Sequence, residues 1–180
     1  SRVVATGDIS GKIGDALIVH PSEGNAKRLL LVGCGEERAL DARAYRKIVT
    51  GAIKALLKAN AKNAIFTLAE LPIKDRDASW AVTLLVQECE NACYQYDATK
   101  SKKKSAHALT TVSLSTPTGA HKKAMTEALN AGTAIGLGMS IAKELGNLPG
   151  NICTPTYLAN TASKLAGKYK SISTKILSEK

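Results

Sequence analysis

The sequence predicts an α/β domain with a mixed, mostly parallel sheet flanked by helices. Two observations carry this. Short apolar runs of strand length alternate with longer stretches of three- and four-residue apolar spacing. The links between the strand-like runs are themselves helical, which is how parallel strands are joined. A long small-residue helix follows the alternation, and a glycine- and proline-rich break follows that.

Asp15–His20 is a short apolar run bounded by Gly14 and Pro21, and reads as a strand. Arg28–Gly33 is continuously apolar after its first residue, the pattern of a strand buried on both faces. Asp41 is placed to cap a helix to about residue 60, with Tyr45, Ile48, Val49, Ala52, Leu56 and Leu57 on its apolar side. Ala64–Leu68 is the next strand-like run. Asp77 opens a helix to about residue 98, whose inner face is read as Trp80, Leu84, Leu85, Cys89, Ala92, Cys93 and Tyr96.

A lysine-rich loop precedes Leu109–Leu114, whose β-branched content marks a strand. The long helix then runs from about Lys122 to Leu145. Ala124, Ala128, Ala131, Gly132, Ile135, Gly136 and Met139 lie on its inner face, small enough to admit a neighbouring backbone. Residues 146–151 break it. Thr154 is a helix cap and Pro155 the first residue of the next helix, which runs to about Tyr169. Ser173–Leu177 reads as one more strand.

Composition excludes several classes. With 180 residues, 44% hydrophobic and 22% charged, the chain can bury a core and is not disordered as a whole. Four cysteines are too few for a disulfide scaffold, and free thiols point to a reducing, cytoplasmic compartment. No uncharged apolar run approaches the roughly 20 residues that span a bilayer. Ser1-Arg2-Val3-Val4 has neither an initiator Met nor a secretory pattern, so residue 1 is read as a cut.

The net charge of +10 is concentrated. Residues 100–123 hold six lysines and no acid: Lys100, Lys102, Lys103, Lys104, Lys122 and Lys123. Such a segment attracts polyanions, DNA phosphates among them, and it also serves simply as a solvated loop. It contains no Arg, and no aromatic residue follows Tyr96 until Tyr157, so base reading and base stacking are poorly supplied.

No catalytic constellation emerges from the residues. His20, His107 and His121 are scattered and fit no metal-ligand spacing. Cys89 and Cys93 share a helix face, but a zinc site needs two more ligands, so they read as two buried thiols. Gly33-Cys34-Gly35 follows a strand as phosphate loops do. Glu36 and Glu37 come next and no third glycine follows at the required spacing, so a tight turn is the better reading.

The segment Lys143–Ala159, KELGNLPGNICTPTYLA, resembles the junction of the leucyl aminopeptidases, the M17 family of two-metal peptidases. Asn147, Pro149, Asn151, Thr154 and Pro155 match its N-x-P-x-N-x-x-T-P pattern. Leu29–Val49 and Leu71–Lys104, with Trp80 and Tyr96, are similar to the family's N-terminal domain, especially in its bacterial members. The resemblance implies a macro-like domain over residues 1–121, lacking its first strand and helix. It implies a connecting helix over 122–146, and over 147–180 the start of a catalytic peptidase domain whose body is missing. The parent would remove N-terminal residues, leucine preferred, from peptides with two divalent cations, zinc or manganese. It would be a cytoplasmic homohexamer. The family's metal-binding segments, resembling GKGITFDSGG and NTDAEGR, do not occur here, so no catalytic or metal-ligand residue can be carried over. Some bacterial members also bind DNA in recombination and transcriptional control. A DNA-binding module is therefore the alternative to an accessory and assembly domain. ADP-ribose binding by a macro-like fold is the weakest of the three readings.

Overall fold

A computed structural model describes residues 6–36, 40–103 and 105–177. Four strands and four α-helices follow in the order β1 (Ala16–Val19), β2 (Leu29–Val32), α1 (Ala42–Lys58), β3 (Asn63–Phe66), α2 (Ala78–Cys93), β4 (Thr111–Leu114), α3 (Lys122–Asn147) and α4 (Pro155–Lys168). A single 3-10 turn, Leu68–Glu70, follows β3. The chain forms two compact units, one of Ser1–Tyr94 with Ser105–Met139, the other of Gln95–Lys104 with Ser140–Lys180.

In the first unit the sheet pairing is mixed. β1 and β2 are antiparallel, with Ala16 opposite Val32 and Val19 opposite Leu29. β3 and β4 are parallel, with Asn63 opposite Thr111 and Phe66 opposite Leu114. The β2 run is not buried on both faces as its composition predicts: Leu29 is 45% exposed and the rest is half-buried. Among the described residues it pairs with β1 alone, and α1 packs against it. In β3 the alternation is clean, with Phe66 buried and Ile65 77% exposed.

The caps form where their residue types place them. The Asp41 carboxylate accepts from the Ala44 N–H at 2.6 Å, and the Asp77 carboxylate from the Trp80 N–H at 2.8 Å. Each satisfies one of the orphan donors of a helix start. Helix α1 is capped at its C-terminus by Ala59, whose carbonyl accepts from the Arg28 guanidinium at 2.7 Å. Its core face is Tyr45, Ile48, Val49, Ala52, Ile53 and Leu56. Leu57, assigned to that face from the sequence, packs at its margin while Ile53 is buried in full.

Helix α2 stops at Cys93, five residues short of the sequence reading, because Tyr94 turns to extended backbone. Tyr96 is therefore not on its face. Leu84 and Leu85 are buried as read, joined by Ala81, Val82 and Glu88, with Trp80, Cys89 and Ala92 at the edge. The Tyr45 hydroxyl donates to the Ala81 carbonyl at 3.3 Å, its ring lies 5.9 Å from Trp80, and Arg76 stacks over Trp80 at 5.2 Å.

On α3 the buried residues are Ala128, Gly132 and Gly136, one per turn. A Cβ at Gly132 would meet the Thr83 carbonyl oxygen at 2.6 Å, and one at Gly136 the Glu90 Cγ at 2.8 Å. Thr83 Oγ1 donates across the crossing to the Ala128 carbonyl at 3.2 Å. Ala131 and Ile135 are exposed, against expectation, because they lie off the buried Ala128–Gly132–Gly136 row.

In the second unit α3 ends at Asn147 and α4 starts at Pro155, with Thr154 as its cap. No residue of α4 is buried. Residues 173–177, expected as a strand, are not one: they pair with no described strand, and Leu177 is 78% exposed. A strand needs a neighbour to take its backbone hydrogen bonds, and this segment has none among the described residues.

Candidate functional site

Three places could carry chemistry, and each is built by a different local cause. The first is the basic segment. In the second unit a turn brings the Lys100 N–H to the Asp97 carbonyl at 3.2 Å, and sets the Lys100 ammonium 3.8 Å from the Asp97 carboxylate. Lys102 and Lys103 follow, both exposed. Lys104 lies outside the described residues. Lys122 and Lys123 belong to the first unit, exposed in the first turn of α3. That turn has no acidic residue, and like charge meets the positive end of the helix dipole there.

The second place is the junction. The Ile152 and Cys153 N–H groups both donate to the Pro149 carbonyl at 2.9 Å, folding residues 149–153 into a tight turn. Thr154 Oγ1 then accepts from the Tyr157 N–H at 3.3 Å, and Pro155 fills the first helical position, where a missing N–H costs nothing. Asn147 is the last residue of α3, and Asn151 is exposed in the turn. These spacings satisfy a helix–turn–helix backbone.

The third place is a groove of about 280 Å³ in the first unit, between α2, β4 and α3. Leu85, Leu109, Val112 and Leu129 give it an apolar lining, and Cys89, Glu90 and Cys93 border it from α2. Burial, and then the neighbouring Cys93, Glu90 and Glu88, push the Cys89 thiol up to about 12. Cys93 is exposed, not buried as the shared helix face predicts, because α2 ends with it. Its thiol is also raised, by burial of part of the side chain and by Glu90.

The Gly33-Cys34-Gly35 turn has a packing cause. The Gly33 N–H donates to the Asp15 carbonyl at 2.7 Å, and a Cβ there would stand 2.7 Å from the Gly11 carbonyl carbon. Cys34 is half-buried, its Sγ 3.6 Å from the Val32 carbonyl, and burial pushes its thiol up. Glu37 lies outside the described residues. Among the described residues no three His, Cys, Asp or Glu side chains stand together to hold a metal ion. No helix among them is long and apolar enough to cross a membrane.

Residues 1–103 match the family model described as the cytosol aminopeptidase family, N-terminal domain. The chain is 42% identical over its whole length to a probable cytosol aminopeptidase of Paraburkholderia xenovorans strain LB400. The chain belongs to the cytosol aminopeptidase family. It covers 35% of that relative, so it spans about a third of the length of the curated aminopeptidase it matches. Solved structures share the fold at 21% identity. A bottromycin maturation enzyme, BotP, in complex with Mn superposes with a TM-score of 0.73 over 93% of this chain and 33% of its own. A tomato leucine aminopeptidase variant does so with 0.73 over 94% and 32%. The mixed α/β architecture is thus that of this family's N-terminal region, and the sequence resemblance is confirmed.

Proposed function

We propose that this chain is the accessory and assembly portion of a leucyl aminopeptidase that removes N-terminal residues, leucine preferred, from peptides. The observation that carries the reading is the match to a probable cytosol aminopeptidase over the entire chain but only 35% of that protein. In this reading residues 1–121 form the N-terminal domain, 122–146 the connecting helix, and 147–180 the opening of the peptidase domain. The parent is a cytoplasmic homohexamer, and its zinc or manganese ions are held outside this chain. The described residues here do not fit a metal centre, so no step of the hydrolysis is assigned to them.

The test compares the isolated 180-residue chain with the full-length parent, using leucine p-nitroanilide and added manganese or zinc. The parent is expected to turn over and the isolated chain not to. Turnover by the chain alone, or none by the parent, overturns the reading.

A second reading has one observation in its favour. Lys102 and Lys103 are exposed in a segment that, from residue 100 to 123, contains no acid. This supports binding of nucleic acid through its phosphates, independent of base sequence. Lys100, Lys122 and Lys123 would add to it, as would Lys104. Changing Lys102, Lys103 and Lys104 to Ala should flatten the salt dependence of duplex DNA binding by roughly 0.9 for each phosphate that is no longer neutralised. Superimposable isotherms for wild type and the triple variant would reduce the lysines to a solvated loop.

A further inference from the structure

Cys89 and Cys93 occupy successive turns of α2 and both border the groove between α2, β4 and α3. Side chains four apart on a helix have Cβ atoms about 5–6 Å apart. A disulfide requires about 3.8 Å between Cβ atoms, so direct oxidation of this pair would have to distort the helix. A pair on Cβ atoms so spaced is suited to share one bridging atom between its sulfurs rather than to bond sulfur to sulfur. Soft centres are the ones thiolates select. Zinc asks for four ligands, and although Glu90 borders the same groove, no three His, Cys, Asp or Glu side chains among the described residues are grouped so as to hold a metal ion.

We propose that Cys89 and Cys93 form a dithiol site for trivalent organoarsenic compounds, with both sulfurs on arsenic and its hydrocarbon substituent in the groove. Arsenic brings its own third substituent, so two protein ligands complete it. Leu85, Leu109 and Leu129 offer that substituent an apolar wall. Two thiols react with R–As=O to form two As–S bonds. The As=O bond breaks, and the oxygen leaves as water with both thiol protons. Arsenic stays trivalent and no oxidant or reductant is consumed. The product is neutral, which suits this place: burial and Glu90 both oppose a free thiolate at either cysteine. Cys93, exposed at the rim, gives the entry point, and Cys89, deeper, closes the ring.

The test treats the reduced 180-residue chain with phenylarsine oxide, adds excess glutathione, and reads the intact mass. The mass of one phenylarsine oxide per chain, less one water, should survive glutathione and be removed by the dithiol dimercaprol. Glutathione should strip arsenic held by a single thiol, so Cys93→Ser should lower the apparent affinity at least about tenfold through loss of chelation. Cys34→Ser with Cys153→Ser should leave binding unchanged. Because Cys93 is exposed, its substitution is not expected to disturb the core, and circular dichroism of Cys93→Ser and Cys93→Ala checks this. Full retention of the glutathione-resistant adduct in a folded Cys93 variant overturns the proposal. So does its loss from the Cys34/Cys153 double variant.

Discussion

Gly51, in the middle of α1, lies directly against Gly14 at the turn before β1. A Cβ on Gly51 would stand 3.0 Å from the Gly14 Cα, with the Gly14 carbonyl oxygen nearer still. Gly14 is itself held at φ +82° and would meet the Lys47 carbonyl oxygen at 2.9 Å if it carried a side chain. Backbone thus meets backbone, and neither partner has a flexible tip that could move aside.

Gly51→Ala should therefore destabilise the chain although alanine is the better helix former. Helix propensity returns about 1 kcal/mol, and forced overpacking costs about 1–3 kcal/mol. The net expectation is a loss on the order of 1 kcal/mol, read as a lower urea midpoint with unchanged slope. A midpoint that rises would mean the turn at Gly14 yields without cost.

Glu88 gives a second expectation. It is only 7% exposed, with the Arg46 Nε 3.6 Å from one carboxylate oxygen and the Asn91 amide donating to the other at 3.3 Å. Arg46→Leu leaves that carboxylate poorly compensated and should cost about 1–3 kcal/mol. Glu88→Gln in the same chain should recover part of the loss, and a double-mutant cycle measures the coupling. Strict additivity would show that the two side chains do not interact.

How far these features could be read beforehand differs by cause. The starts of α1, α2 and α4 were legible because Asp41, Asp77 and Thr154 announce caps through local chemistry. The end of α2 was not. No glycine or proline follows Cys93, and Tyr96 falls four residues after Ala92 by coincidence of spacing. Burial of Glu88 was invisible too, since its partner Arg46 sits on another helix, 42 positions away. Ser173–Leu177 carries strand composition, but a strand is completed by a neighbour, and composition says nothing about whether one is present. At the candidate sites, the lysine cluster is a matter of composition and was legible. The groove beside Cys89 depends on how α2, β4 and α3 come together, which periodicity alone does not give.

The cap of α4 can be tested locally. Thr154→Ala removes the 3.3 Å acceptor of the Tyr157 N–H and leaves Pro155 in place. The expected cost is about 1 kcal/mol, seen as roughly fivefold faster amide exchange in the first turn of α4. Exchange at the wild-type rate would mean water replaces the hydroxyl without loss.

Alkaline pH should weaken the first unit. The Cys89 thiol is pushed from its ordinary 9.0 up to about 12, chiefly by burial, so the folded chain keeps a proton that the unfolded chain releases first. This contribution is complete below about pH 9 and is lost as pH rises from there to about 12. Tyr45, raised by burial and by Cys89, acts in the same direction. The melting temperature should fall through this window, and less steeply in Cys89→Ala. Parallel curves for the two proteins would remove the thiol from the account.

The bare strip at β3 has a colloidal consequence. Ile65 stands 77% exposed on a two-stranded sheet, and each strand of such a pair keeps one edge without a partner among the described residues. Unprotected edges of this kind template the addition of further strands, and an isoleucine on the open face rewards it. What opposes self-association is mutual repulsion from the net charge of +10. Salt screens that repulsion over a length of about 10 Å at 0.1 M but leaves the apolar strip untouched. The isolated chain is thus most dispersed in dilute buffer, and its solubility ceiling should drop as ionic strength climbs, the reverse of ordinary salting-in.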